Sequence, residues 1–214
     1  MMFMKEKPCR MMKRDTIHVL ENGSTYVLSE NYFYKTEAYY NIVMGENEGK
    51  DVVPHSEEIL EANIVPLTLE KARLAGIPVC DWEISYSYVN LPSIVYGVNY
   101  YSDSSNYSIV QDQQTARRVI KQVTHSGKYP FCYQKLEDPT AVEEHVCVLG
   151  KIANASPELE SLASKVYEAF RIPLVNIVAV AADGGYRLSS LGPMRYSQLS
   201  KEERDMLESM LRGI

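Results

Sequence analysis

The order of strands and helices after residue 78 constrains the fold of this chain more than any other feature of its sequence. Short apolar runs predict strands, and single helical segments separate groups of them. The predicted order is strand (79–85), strand (93–97), strand (107–110), helix (113–125), strand (130–135), strand (144–153), helix (157–170), strand (174–182), strand (186–190) and helix (201–212). Consecutive strands broken by single helices favour an α+β fold with largely antiparallel sheets over a doubly wound parallel sheet.

Capping residues mark where the three helices begin. Asp112 precedes the first helix, Ser156-Pro157 opens the second, and Ser200 with Glu203 forms a capping box before the third. The sequence Asp183-Gly184-Gly185 between two apolar runs predicts a hairpin turn. These signals predict element boundaries independently of the apolar pattern.

The first 66 residues show a different pattern, with short apolar runs and a stretch rich in aromatic residues. We predict short strands at 17–20 and 25–28, followed by an aromatic stretch. Helical spacing then places four apolar residues on one helix that Gly49 can end, namely Tyr39, Tyr40, Val43 and Met44. A further helix is predicted to begin at Thr68 and to end at Gly76.

The net charge limits the classes of partner that the protein can bind, and the cysteine pattern indicates the cellular compartment. The chain has 214 residues with a net charge of -6, and its composition indicates neither a nucleic-acid partner nor a membrane partner. Residues 1–15 contain no continuous apolar run, so we expect a loose leader there and not a secretory signal or a membrane span. The four cysteines, Cys9, Cys80, Cys132 and Cys147, show no CxxC spacing. We interpret them as reduced, the last three as core residues, and expect a cytoplasmic protein.

Ordered phrases between residues 68 and 200 resemble the RimK-like branch of the ATP-grasp superfamily. They are KARLAGIPVCDWEI, LPSIVYG, NYSIVQDQQTARRVIKQV, PFCYQKLEDPTAVEEHVCVLGKIANA and SPELESLASKVYEAFRIPLVNIVAVAADGGYRLSSLGP. The earlier phrase NYFYKTEAYYNIVMGENEGKDVVPHSEEI resembles the RimK-like ATP-grasp N-terminal domain through Tyr34, Tyr39, Tyr40, Gly49 and Pro54. An alternative interpretation is that Tyr39 and Tyr40 simply form a helix face that packs on a sheet.

The resemblance implies an ATP-grasp-like fold of two small α+β subdomains behind a short N-terminal segment. Its boundaries would be 1–66 for the segment that is similar to the RimK-like N-terminal domain, 67–135 for the first subdomain and 136–214 for the second. Members of this family join an amine to an acyl phosphate made from ATP, so an active protein would be an ATP-dependent carboxylate-amine ligase.

The positions that the resemblance assigns to magnesium carry unsuitable side chains. Magnesium needs hard oxygen ligands to bridge the phosphates during phosphoryl transfer. Alignment with the family pattern places the expected Asp at Val178, the expected Glu at Ser189 and the expected Asn at Leu191. A register shift reaches only Asn176 or Ser190, and Asp183 is explained by its hairpin turn. We therefore predict no metal ligands and no catalytic residues, and the sequence argues against magnesium.

The nucleotide positions are altered as well. Tyr96 stands where the family has a phosphate-contacting lysine, and the following loop YYSDSSNYS lacks glycines. A polar hairpin loop is favoured there over a phosphate cradle. By resemblance, the adenine-side hinge comprises Gln134, Lys135, Leu136 and Glu137, and Glu144 would approach a ribose. ATP thus remains a possible cofactor.

Three hypotheses follow from these observations. In the first, the protein is a non-catalytic or regulatory ATP-grasp relative that pairs with an active paralogue or with itself. Its interface would then involve the aromatic residues Tyr32, Phe33, Tyr34, Tyr39 and Tyr40. The second is an active ligase with atypical ligands, in which Asp103, Asp183 or Glu144 would bind metal. The third is a binding or structural module unrelated to nucleotides.

Overall fold

The computed structural model describes residues 16–21, 23–34, 36–137 and 141–212. The predicted leader and Cys9 lie outside the described residues. The elements are β1 (Thr16–Glu21), β2 (Ser24–Ser29), α1 (Glu37–Asn47), β3 (Asp51–Val53), α2 (Ser56–Asn63), α3 (Val65–Leu74), β4 (Trp82–Ser85), β5 (Ser93–Gly97), β6 (Tyr107–Val110), α4 (Gln113–Val123), β7 (Phe131–Lys135), β8 (Val142–Val148), α5 (Pro157–Phe170), β9 (Leu174–Ala182), β10 (Gly185–Pro193) and α6 (Lys201–Arg212). This order confirms the predicted α+β class.

The N-terminal part forms a three-stranded sheet in the order β1-β2-β3, with β2 and β3 parallel. β3 and α2 were not predicted. α2 begins where the Glu46 carboxylate of α1 accepts a 2.7 Å hydrogen bond from the backbone N–H of Ser56, which is a cap supplied from a different element. Helix α3 begins at Val65 and not at Thr68 as predicted, because Pro66 is pre-set for a first helical turn. The Thr68 hydroxyl instead donates to Glu61 O at the end of α2, at 2.8 Å.

The middle part is a four-stranded antiparallel sheet in the order β4-β7-β5-β6. Strands β5 and β6 have the predicted bounds, whereas β4 is shorter than the predicted strand 79–85. Val79 forms an isolated bridge with Leu188 of β10 instead. Helix α4 begins after Asp112, whose carboxylate accepts hydrogen bonds from the N–H groups of Gln114 and Thr115, both at 2.9 Å.

The C-terminal part is an antiparallel sheet in the order β10-β9-β8. The predicted hairpin lies between β9 and β10, where Gly184 and Gly185 adopt positive φ. β8 ends at Val148, earlier than predicted, because Leu149 and Gly150 turn the chain with positive φ. β10 extends beyond the predicted strand in both directions.

One hydrophobic core joins the N-terminal sheet to the C-terminal sheet. It includes Leu28 and Ile42 from the first part and Phe170, Leu174 and Ile177 from the last, all at most 2% exposed. The predicted N-terminal segment therefore packs against the predicted second subdomain. In the part of the chain that the structure describes, no helix is both long and apolar enough to cross a lipid bilayer.

Candidate functional site

The candidate site lies where the four-stranded sheet faces the C-terminal sheet. Both faces contribute apolar side chains to a second core cluster. Its buried members are Val65, Leu69, Cys80, Ile94, Tyr96, Cys132, Leu136, Val178 and Val180. Apolar contact thus fills much of the space between the two sheets.

Tyr96 lies at the centre of this contact. It belongs to β5, is fully buried, and its phenol oxygen lies 2.7 Å from Oγ of Ser189 on β10. Burial raises the pKa of Tyr96, and the hydrogen bond with Ser189 opposes that shift only in part. Tyr96 is therefore a neutral hydrogen-bonding group that ties one sheet to the other.

Gln134 makes a second connection to the same residue. It is fully buried in β7, and its Nε2 donates to the backbone oxygen of Ser189 at 2.8 Å. Its Oε1 has no hydrogen-bond partner among the described residues. Tyr96 and Gln134 thus engage both the side chain and the backbone of Ser189.

The backbone of the predicted adenine hinge is engaged within the protein. The N–H of Lys135 donates to Asp81 O at 2.9 Å, and the N–H of Leu136 donates to Pro92 O at 3.0 Å. Leu136 is also buried in the second core cluster. These two N–H groups of the predicted hinge are therefore already satisfied within the protein.

The side chains of Lys135 and Glu137 reach other partners. Lys135 Nζ lies 3.8 Å from a carboxylate oxygen of Glu83, and Lys135 lines an open polar groove with Arg73 and Asp81. Arg187 of β10 donates to Glu137 at 2.9 Å, which ties the hinge to the C-terminal sheet. No local pattern predicts this ion pair, because its partners are 50 residues apart.

Glu144 lies at the edge of the interface, exposed on β8. Its carboxylate accepts hydrogen bonds from the Tyr107 hydroxyl at 3.2 Å and from Asn176 Nδ2 at 2.8 Å. Tyr107 belongs to β6, so this contact again bridges the two sheets. The sequence analysis assigns Glu144 and Asn176 to different roles, but in the structure they are hydrogen-bond partners.

The three positions assigned to magnesium ligands are all buried. Val178 and Ser189 are fully buried, and Leu191 is 1% exposed. Val178 packs in the same cluster as Tyr96. Across the described ranges, no group of three or more His, Cys, Asp or Glu side chains is arranged to hold a metal ion.

The loop between β5 and β6 folds back on itself and onto β10. Asp103 accepts hydrogen bonds from the backbone N–H and the hydroxyl of Ser105, at 2.9 and 2.8 Å. Gly192 of β10 lies so close to this loop that a Cβ there would stand 2.7 Å from Cβ of Ser105. Asp103 therefore stabilises its own turn, as the hairpin-loop interpretation requires.

The aromatic residues that the first hypothesis assigns to an interface lie in different environments. Tyr32 is only 3% exposed, and its hydroxyl donates to Val27 O at 2.7 Å, so it is a core residue and not an interface residue. Tyr40 is exposed, and Tyr39 packs against the main core. Phe33 and Tyr34 line a cavity that the sequence did not predict.

A protein-family model described as the RimK-like ATPgrasp N-terminal domain matches residues 89–210. This range is more than half of the chain and runs from just before β5 into α6. The tyrosine-rich phrase at residues 31–59 lies outside it. A search of curated proteins found no match.

Solved structures of ATP-grasp proteins share the fold. A RimK domain ATP-grasp protein from Sphaerobacter thermophilus DSM 20745 superposes with a TM-score of 0.62 at 13% identity, covering 91% of this chain and 83% of its own. D-alanine-D-alanine ligase from Helicobacter pylori gives 0.57 at 15% identity, with 81% and 65% covered. The ATP-grasp ligase PsnB, complexed with minimal precursor, Mg and ADP, gives 0.56 at 13% identity, with 81% and 66% covered. The chain thus spans about two thirds of the length of the last two proteins.

Proposed function

The chain belongs to the RimK-like ATP-grasp N-terminal domain family, and we propose that it is a non-catalytic member that acts as a regulatory or partner subunit. The fold of a ligase does not carry ligase activity with it, because activity depends on the side chains of the site. Those side chains support a closed interface between the two sheets.

The contact between Tyr96 and Ser189 is the observation that carries this proposal. By resemblance, these positions would hold the phosphate-binding lysine and a metal-binding glutamate. Here the two side chains hydrogen-bond to each other at 2.7 Å and are fully buried. Neutral groups that satisfy each other offer no charge to a triphosphate.

The surrounding contacts support the same proposal. The ion pair between Arg187 and Glu137 and the hydrogen bond between Tyr107 and Glu144 span the interface at its periphery. A nucleotide between the sheets would have to displace apolar contacts together with these polar ones. The resulting cost would oppose binding of ATP in that position.

Thermal unfolding with nucleotide tests the proposal. The ATP-grasp ligase PsnB was solved with Mg and ADP, so a nucleotide with magnesium is the appropriate probe. The melting temperature of this protein is measured with ATP and magnesium, with ATP and a chelator, and with tripolyphosphate and magnesium. We expect the three melting temperatures to agree within about 1 °C. An increase of several degrees with ATP and magnesium, absent both with ATP and a chelator and with tripolyphosphate and magnesium, would instead support an active ligase with atypical ligands, since a ligand far above its Kd stabilises the folded state by that amount.

A partner subunit would act through its surface, and helix α1 offers an apolar stripe. Tyr40 and Met44 lie one turn apart and are 56% and 59% exposed. We propose that this stripe contacts either an active ATP-grasp paralogue or a second copy of the chain. Light scattering during size-exclusion chromatography measures self-association, and the double variant Tyr40→Ser, Met44→Ser should reduce any dimer without lowering the melting temperature. A dimer of unchanged strength would exclude α1 as the self-association surface.

A further inference from the structure

A cavity of about 360 Å³ lies outside the closed interface. Three distant parts of the chain enclose it: the segment after β2, the junction of α2 with α3, and the loop that follows β5. The lining residues that decide its chemistry include Phe33, Tyr34, Leu60, Ile64, Tyr100 and Ser104. This volume falls within the range of natural small-molecule sites.

The lining is apolar and aromatic, and none of these described residues carries a charge. The rings of Tyr34 and Tyr100 meet edge to face, with their centroids 6.2 Å apart. Aromatic faces and edges favour contact with a planar ring. A charged ligand would lose its hydration here without gaining an ion partner.

The two amide side chains around the cavity are already engaged. Asn99 donates through Nδ2 to Val123 O at 2.9 Å and accepts through Oδ1 from Tyr101 N–H at 2.8 Å. Asn63 donates to Ile59 O at 2.8 Å. These amides hold the walls of the cavity in place.

Ser104 is different. It is only 3% exposed, it lines the cavity, and its Oγ finds no hydrogen-bond partner within the described parts of the chain. A buried hydroxyl without a partner is rare in folded proteins because it lowers their stability. Its Oγ is itself shielded from solvent, so a ligand with one polar group would satisfy it once a rotation about the Cα–Cβ bond turns the hydroxyl toward the cavity.

We propose that this cavity binds an uncharged, mostly apolar small molecule that contains an aromatic ring and hydrogen-bonds to Ser104. The inference goes beyond the proposed function and does not depend on it, because Tyr96, Gln134 and Ser189 are not lining residues. Apolar contact supplies most of the affinity, and Ser104 fixes the orientation.

The test uses the neutral fluorescent probe N-phenyl-1-naphthylamine with the full chain. The probe has two aromatic groups and one N–H, and its fluorescence rises in apolar surroundings. We expect saturable binding of one probe molecule per chain. Binding that does not saturate, or no increase in fluorescence, would overturn the proposal.

Two Leu→Trp variants form a matched pair that locates the probe. Leu60 lines the cavity on α2 and is 37% exposed, whereas Leu74 ends α3, is 74% exposed and is not a lining residue. We expect Leu60→Trp to weaken probe binding at least tenfold and Leu74→Trp to leave it unchanged. Equal affinities in the two variants would contradict the assignment. If Leu60→Trp fails to fold, Ile64→Trp repeats the test from the same wall, where Ile64 is 40% exposed.

Ser104→Ala tests the polar contact. Removal of a hydroxyl without a partner should leave the melting temperature of the unliganded protein unchanged or raise it. The same variant should weaken probe binding about two- to tenfold, the effect of one lost hydrogen bond. Unchanged affinity together with a melting temperature lowered by several degrees would assign Ser104 a structural role and overturn its part in the proposal.

Discussion

The phenol oxygen of Tyr96 lies 2.7 Å from Oγ of Ser189, and this contact joins two sheets through residues 93 positions apart. Both residues are fully buried. The hydrogen bond therefore contributes to the stability of the whole fold, and substitutions at Tyr96 measure how firmly the interface is closed.

Tyr96→Phe should lower the free energy of unfolding by about 1–3 kcal/mol, because it leaves the buried Ser189 hydroxyl without its tyrosine partner. Urea denaturation measures the loss, and the dependence on urea should stay unchanged. Tyr107→Phe is the matched control, because its hydroxyl bonds to the exposed Glu144. The control should lose less than Tyr96→Phe. Equal losses would mean that the buried contact has no special role.

Gly192→Ala should also destabilise the protein, by about 1–3 kcal/mol of overpacking. The new Cβ would stand 2.7 Å from Cβ of Ser105 and 3.4 Å from its Cα. A double-mutant cycle with Ser105→Gly checks the cause, because removal of the Ser105 side chain should relieve part of the penalty. Additive losses in the double variant would exclude this contact as the source.

The pH dependence of stability should depend on Glu46. Partial burial would raise the pKa of this carboxyl, but hydrogen bonds from the hydroxyl and N–H of Ser56 and from His55 outweigh it and leave the pKa below its usual value of 4.5. The charged form is therefore favoured in the folded state, and its stabilising effect is present above the unfolded pKa. That effect is lost as the pH falls through the lower folded pKa.

Glu46→Gln should thus lower the melting temperature most near neutral pH. The difference from the unmodified protein should shrink as the pH falls below about 4.5. Glu57→Gln, on the exposed face at the start of α2, is the control and should show little difference at any pH. A constant difference for Glu46→Gln across the pH range would show that its charge is not the cause.

The three described cysteines should react slowly with thiol reagents in the folded protein. Burial raises the pKa of Cys132 and of Cys147 to about 12 each, and it raises the pKa of Cys80 despite the nearby Arg187. A Cys9→Ser variant isolates these thiols. Its reaction with a disulfide reagent should be at least about a hundredfold slower than that of an exposed thiol, because little thiolate is present. In denaturant all three thiols should react rapidly. A thiol that reacts at once without denaturant would contradict their assignment as core residues.

Local signals predicted much of the fold. The bounds of β5, β6, α5, β9 and α6 agree with the sequence prediction, because each has a strong apolar period or a capping residue within its own segment. β3 and α2 escaped prediction for the opposite reason. β3 is three residues long and pairs with β2. The start of α2 combines a local hydrogen bond from His55 N–H to Glu58 with the carboxylate of Glu46, which α1 supplies.

The sequence likewise predicted some features of the candidate site and not others. The sequence identified Tyr96, Val178, Ser189 and Leu191 as replacements at family positions. The unsuitable chemistry of each replacement follows from its own residue type. The hydrogen-bond partners of these side chains could not be predicted from the sequence, because they lie on a different part of the fold. Tyr96 contacts Ser189, Arg187 contacts Glu137 and Tyr107 contacts Glu144. The assignments of a ribose contact to Glu144 and an adenine hinge to residues 134–137 stay predictions.

The sequence by itself thus determined the order of the elements after residue 78, the largely antiparallel α+β class and the family, since these depend on local propensity and ordered phrases. Only the tertiary structure decided that the replaced residues satisfy one another, that Tyr32 is a core residue, and that the Ser104 hydroxyl has no partner among the described residues beside a cavity. Burial and hydrogen bonding of a side chain depend on residues brought together from distant parts of the chain, and no local pattern encodes them.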